Sequence, residues 1–221
     1  MQRNLYLTTT PVEEARAAYL EALRGDIRPQ AEMIRVTDAL GRITAEAVYA
    51  KFSSPLYNSA AMDGIAVISS RTDWASESSP VLLKPDEDYM IVDTGDPIRK
   101  PYDAVIMAED IQETPDGVII RSSAPAWQHV RPIGEDIISG EMILTRNHRI
   151  RPIDIGVLLS GGVTEIPAYR QPRVGIIPTG TEIVEPYDNP REGEIIESNS
   201  RMFEAMVREN GGIPMRYDIV G

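Results

Sequence analysis

The chain has 221 residues, 42% of them hydrophobic and 25% charged, an ordinary balance for a globular protein with room for several small domains. A formal net charge of -12 repels a phosphate backbone and no basic stripe offsets it, so nucleic acid is set aside as a partner. The absence of cysteine and the presence of only His129 and His148 exclude disulfides, thiolate catalysis, Cys-ligated metal centres and sites with three or more His ligands.

The opening residues, Met1-Gln-Arg-Asn-Leu-Tyr-Leu7, lack a signal-peptide core. No apolar run approaches the ~20 residues of a membrane helix. A cytoplasmic protein without a membrane partner is the expectation. Thr10-Pro-Val-Glu13 predicts a helix start, with Thr10 as cap, Pro11 at the first helical position and Glu13 completing a capping box. Val12, Ala15, Tyr19, Ala22 and Leu23 share a face, and Gly25 supplies the stop. Residues 32–36 predict a strand, 37–41 a capped turn of helix and 43–48 another strand. Ser53-Ser-Pro-Leu-Tyr57 breaks the pattern and marks a domain boundary.

From 54 to 138 the signals are short strands, at 64–68, 81–83, 90–92, 104–107 and 118–121, with a hairpin turn at Pro115-Asp-Gly117. Strands without intervening helices predict a β-rich, barrel-like domain. Trp74 and Trp127 are isolated and fit packing or loop-covering roles. A strand at 142–144, a helix at 152–160 stopped by Gly161-Gly162, and a strand at 163–166 follow. This block reads as a partner for the N-terminal helix. Residues 173–177 form an apolar run suited to a buried parallel strand. Asn199 then caps a helix with Met202, Phe203, Met206 and Val207 on one face, and 215–220 reads as the next strand. One βαβ unit cannot cover both faces of a parallel sheet. The chain is therefore expected to be part of a longer polypeptide, and a stop codon directly after Gly221 in the natural gene would refute that.

Four constellations carry chemistry. In Asn58-Ser-Ala-Ala-Met-Asp-Gly64 a polar tip (Asn58, Ser59) and an acid beside glycine lead into a strand, which can aim the Asp63 carboxylate into a cleft. An ordinary Asp-Gly turn is the alternative. In Asp93-Thr-Gly-Asp-Pro97 with Tyr102-Asp-Ala-Val-Ile-Met-Ala-Glu-Asp110, Thr94 and Gly95 offer a hydroxyl and backbone N–H groups to an anion, and Asp96 and Glu109 suit a cation. In Val130-Arg-Pro-Ile-Gly-Glu-Asp-Ile137, Arg131 suits a phosphate and Glu135 and Asp136 a divalent ion. Solvated turns are the simpler reading of both blocks. The fourth is Ile177-Pro-Thr-Gly-Thr-Glu-Ile183 with Glu197-Ser-Asn-Ser200. Thr179, Gly180 and Glu182 follow a strand's carboxyl end, where ligands of open α/β sheets sit. The helix beginning at Asn199 presents a partial positive charge suited to phosphate. No Gly-x-Gly-x-x-Gly, Walker or Gly-x-Ser-x-Gly motif is present.

Taken in order, these blocks resemble the molybdopterin molybdotransferase family, known as MoeA and as the E domain of gephyrin, over nearly the whole chain. The resemblance implies a mixed α/β multidomain protein: a discontinuous, elongated α+β domain (1–53 and 139–172), an inserted β-rich, barrel-like domain (54–138), and the start of an α/β three-layer domain (173–221). It implies insertion of molybdate into adenylylated molybdopterin with release of AMP, assisted by Mg2+. It implies a homodimer with a cleft shared between subunits, and dealings with the molybdopterin adenylyltransferase and acceptor molybdoenzymes. By motif, Asp63, Asp136 and Glu182 match the family's site acids, with Asp136 and Glu182 as the metal ligands. Asn58, Ser59, Thr94, Gly95, Glu109, Thr179, Gly180 and Asn199 fall at substrate-binding positions. Many relatives read Phe-Asp-Asn-Ser-Ala-Met-Asp-Gly where this chain reads Tyr57-Asn-Ser-Ala-Ala-Met-Asp-Gly64, so Asn58, Ser59 and Ala60 depart from the pattern. The family's later Gly-rich and Pro-Gly-Lys-Pro loops and its fourth domain do not occur here, which predicts little activity for this chain alone. A gephyrin-type scaffold, or a regulator sensing molybdate or cofactor, is the alternative.

Overall fold

The computed structural model describes residues 9–24 and 29–221, and among these the regular structure is mostly strand with few helices. The first element, α1 (Val12–Leu23), begins one residue later than the pattern predicts. Pro11 occupies the cap position in an extended conformation and no side chain caps the helix, although its carbonyl accepts from Ala15 N at 3.0 Å. No α1 residue is buried, so the predicted apolar face has no cover among the described residues. The expected stop at Gly25 lies outside those residues.

Strand β1 (Ala31–Arg35) is followed by a short 3-10 turn at Val36–Asp38. Of the expected strand at 43–48, the start forms only the isolated bridges Ile43–Arg149 and Thr44–Ala168, and its last residue opens a short β2 (Val48–Tyr49). Next come β3 (Ser59–Ala60), β4 (Gly64–Val67), β5 (Val81–Leu83), β6 (Tyr89–Val92), β7 (Ala104–Met107), β8 (Ile111–Thr114), β9 (Gly117–Ile120) and β10 (Val130–Arg131). The later elements are β11 (Met142–Leu144), α2 (Pro152–Ser160), β12 (Glu165–Tyr169), β13 (Arg173–Ile176), β14 (Ile183–Val184), β15 (Ile195–Ile196), α3 (Asn199–Glu209) and β16 (Ile213–Arg216).

Two distant stretches share one core. β1 pairs antiparallel with β12, with Ile34 opposite Ile166, and β2 pairs with β11. Val36, Ala39 and Val48 pack with Leu144, Ile150, Leu158, Val163 and Ile166. The start of α2 is pinned by Asp154. Its carboxylate accepts from Arg151 N at 2.8 Å and lies 2.6 Å from His148 Nε2.

The barrel-like expectation for 54–138 is corrected. The strands pair into two separate three-stranded sheets, β6-β4-β7 and β5-β9-β8, and no barrel closes. Strands of three or four residues bring the sheets together through side chains instead. Ile65, Val67 and Ile106 of one sheet share a core with Leu83, Val118 and Ile120 of the other. β4 is buried throughout, and its alternate residue Ala66 faces a second cluster with Ala60, Val92 and Val105.

β13 and β16 are parallel and joined through α3, the predicted βαβ unit. The last strand covers Ile213–Arg216 rather than 215–220, and Val220 instead bridges to Thr179. The apolar run of β13 is not buried: Val174 is 37% exposed and Phe203 on α3 47%. A single helix covers a parallel pair on one side only.

Candidate functional site

The structure knits three of the four motifs together. β3 pairs antiparallel with β10, placing Ser59 opposite Arg131 and Ala60 opposite Val130. Asn58 carries the junction. Its side-chain oxygen accepts from Ile133 N at 2.9 Å and its backbone carbonyl from Ile98 N at 2.8 Å. Ala60 N donates to the Asp96 carbonyl at 2.8 Å, and Gly95 N donates to the Ala60 carbonyl at 2.9 Å. Ser59 is buried, so it works as packing within this junction.

Asp63 stands at the entry to β4. Its Oδ1 accepts from Thr94 N at 2.7 Å and from the Thr94 hydroxyl at 2.8 Å. Those two bonds, the backbone one foremost, hold its carboxyl below the usual carboxylate range. Among the described residues Asp63 Oδ2 accepts nothing, and the residue is exposed. The Asp63 carbonyl accepts from Ala108 N at 3.0 Å, which fixes the backbone behind the carboxylate. Asp96 turns its carboxylate back onto Asp93 N at 2.9 Å rather than outward. Glu109 follows Ala108 in the chain but lines a different hollow with Glu77, Asp110 and Arg121.

Asp136 is engaged by an arginine. Arg131 Nη2 lies 2.8 Å from both Asp136 oxygens, and its Nε donates to Glu135 at 2.6 Å. The side chains are about half exposed, so this clamp is weak and open to displacement.

The fourth motif builds a second hollow of about 430 Å3, lined by Thr179, Glu182, Glu197, Asn199 and Ser200 over an apolar floor that includes Ile177 and Phe203. Gly180 has φ +152, and a Cβ there would come within 2.9 Å of the Glu182 carboxylate, which folds back over it. β14 pairs with β15, and Ile195 N donates to the Glu182 carbonyl at 2.7 Å. Asn199 is the first helical residue of α3 rather than its cap. The helix end is met by Glu197, which is 5% exposed and accepts from Ser200 N at 2.7 Å and from the Ser200 hydroxyl at 2.5 Å. Burial alone would raise the Glu197 pKa. The two Ser200 bonds and nearby Arg216 outweigh it and hold the carboxyl low.

Sequence reasoning did not single out Arg216 and Glu185. Arg216 donates to Glu185 at 2.6 Å and to the Ser200 hydroxyl at 2.7 Å, tying β16 to the start of α3. The available signal was a charged residue ending an otherwise apolar strand.

A cation fits these residues by type, since carboxylates are hard oxygen ligands. Their arrangement in one chain does not supply a cage: no group of three or more His, Cys, Asp or Glu among the described residues converges on a metal position.

The MoeA N-terminal region (domain I and II) family model matches residues 10–162. The chain belongs to the MoeA family. A putative molybdopterin biosynthesis protein of Methanocaldococcus jannaschii is 33% identical, across 95% of this chain and 57% of its own length. Molybdopterin molybdenumtransferase 2 of Mycobacterium tuberculosis is 31% identical, across 83% of this chain and 51% of its own. The molybdopterin biosynthesis MoeA protein of Pyrococcus horikoshii superposes with a TM-score of 0.80 at 31% identity, covering 96% of this chain and 60% of that one. The chain thus spans a little over half the length of these MoeA relatives. No helix among the described residues is long and apolar enough to cross a membrane.

Proposed function

We propose that this chain works in molybdenum cofactor biosynthesis as the N-terminal portion of a molybdopterin molybdotransferase, which inserts molybdate into adenylylated molybdopterin and releases AMP. The observation that carries this reading is Asp63. It is an exposed carboxylate, kept ionised by Thr94, on a backbone locked to the Asn58 and Arg131–Asp136 blocks. A fixed anionic acceptor of this kind suits the N–H donors of a pterin. Arg131, once drawn from Asp136 and Glu135, offers a planar fork to a phosphate.

The same reading assigns Thr179, Gly180, Glu182 and Asn199 to a second half-site, brought opposite Asp63 by a partner subunit in a homodimer. It divides the chain into 1–53 with 139–172, 54–138, and 173–221. It gives Asp136 and Glu182 to Mg2+ and places the protein in the cytoplasm, working with the adenylyltransferase and acceptor molybdoenzymes.

The test is AMP release from adenylylated molybdopterin and molybdate by a full-length polypeptide carrying this chain. Asp63→Ala lowers the rate by about a hundredfold or more, the scale of losing one preorganised polar group. Unchanged AMP release would overturn the reading.

A further inference from the structure

We propose that the cavity between the β1–β12 sheet and the end of α3 is a binding site for a small organic phosphate monoester with an aromatic body. The cavity measures about 650 Å3, within the range of small-molecule sites. It is separate from the site described above, because no residue of the four motifs lines it.

Three arginines, Arg42, Arg149 and Arg170, line this space. Arg42 and Arg170 share a single acid, Glu32, at 2.6 and 3.6 Å. Arg149 is exposed and reaches no acid among the described residues. Among the described residues, then, three guanidiniums line the space and one carboxylate pairs with two of them, on a protein whose overall charge is -12. The charge left over matches a dianion better than a monocarboxylate, and a guanidinium fork matches phosphate oxygens.

Arg42 is set in place before any ligand arrives. Its Nη2 donates to the Tyr169 carbonyl at 2.7 Å, and its own carbonyl accepts from Ile150 N at 2.9 Å. Its buried Nε has no hydrogen-bond partner among the described residues. Buried donors are normally satisfied, so this guanidinium is not fully matched by its protein partners.

The remaining walls are largely apolar, with Ile43, Tyr169 and Pro172 among them. The Tyr169 ring is held by Arg146, which lies 5.9 Å from the ring centroid and donates to its hydroxyl at 2.7 and 2.9 Å. Gln171 Nε2 donates to the Gly211 carbonyl at 3.0 Å and fixes the rim on the α3 side. A cationic head position beside a rigid apolar wall selects a phosphate attached to a flat ring over either part alone.

The probe is 1-naphthyl phosphate, titrated by calorimetry against the chain, with 1-naphthol and inorganic phosphate as separate arms. The phosphate ester binds saturably, at least about tenfold tighter than either arm, the worth of roughly one charge-assisted hydrogen bond. Arg149→Ala and Arg170→Ala each weaken it by about tenfold while leaving the thermal midpoint in place, because both side chains are exposed. Asp63→Ala leaves it unchanged, which separates this site from the transferase cleft. Naphthol binding as tightly as the ester overturns the proposal. So does affinity unmoved by both arginine variants, or the absence of saturation at about 10 mM.

Discussion

Gly64 sits where a side chain has no room, and Gly64→Ala tests how the site is held. The residue opens β4, paired with Val92 of β6 on one side and Met107 of β7 on the other. A Cβ there would fall well inside the van der Waals contact of the Ile106 carbonyl oxygen and 2.9 Å from Ala108 N. Both are backbone atoms of the neighbouring strand region, so no side chain can swing away to relieve the overlap. Overpacking costs about 1–3 kcal/mol. The glycine backbone conformation, φ +154, adds about 1–3 kcal/mol for any other residue. The expected loss of ~2–6 kcal/mol is a large share of the ~5–15 kcal/mol that stabilises a protein. Urea unfolding followed by circular dichroism measures it. The matched control is Gly156→Ala on the exposed side of α2, where a Cβ meets nothing within 4 Å. That change is expected to raise stability by about 0.5–1 kcal/mol. A Gly64→Ala loss below about 1 kcal/mol would show that the strands separate freely and refute the close-approach reasoning. The displacement also strains the Ala108 N–H bond to the Asp63 carbonyl, so the Asp63 carboxyl titration moves together with stability.

Thr94→Val removes one of the two donors on Asp63 Oδ1, and the Asp63 carboxyl is expected to rise toward the ordinary carboxylate range in an NMR titration. No movement would mean that the backbone N–H alone holds it. Asp154 is drawn far below its ordinary value, first by the Arg151 side chain and also by His148. Its ionised form therefore contributes stability that is present above the ordinary value of ~3.9 and is lost as pH falls toward the depressed folded value. Asp154→Asn should flatten that acid limb in pH-dependent unfolding and cost about 1–3 kcal/mol at neutral pH. Glu197→Gln leaves Arg216 and the α3 N-terminus less well matched, with an expected loss of about 1–3 kcal/mol in urea unfolding.

What the sequence made legible was local. Residues 81–83, 104–107, 142–144 and 152–160 form the predicted elements because apolar spacing and Gly or Pro punctuation act over a few residues. The two-residue strands β3 and β10 carry no such pattern. They exist because Ser59 meets Arg131 across a long separation in the chain. The same holds for β2, set by its partner Met142–Leu144 rather than by the weak alternation at 43–48. The barrel expectation failed for a related reason: strand count says nothing about whether the edges of two sheets meet. At the candidate site the motifs were legible as sequence blocks, but their contacts were not. Nothing in Asp93–Pro97 announces that Thr94 will serve Asp63 and that Asp96 will serve its own turn.

The pattern of compensation among the acids separates structural carboxylates from the one best suited to a ligand. Among the described residues, Asp63, Asp88, Asp154, Glu185 and Glu197 are the acids held below their ordinary range. Asp88 is met by Arg71, Asp154 by Arg151, and Glu185 and Glu197 by Arg216. Each of those charges is spent within the fold. Glu197 illustrates the consequence, since the α3 N-terminus that motif reasoning gives to a phosphate already holds this buried carboxylate. An incoming anion would have to displace it, so the α3 N-terminus is not free to take a phosphate. Asp63 differs from the other four. Among the described residues only the neutral donors of Thr94 lower it, and no cation neutralises it. Neutral donors keep a carboxylate ionised without cancelling its field. Asp63 therefore presents a full negative charge with an open Oδ2 at an exposed position, the arrangement that a donor-rich or cationic partner requires.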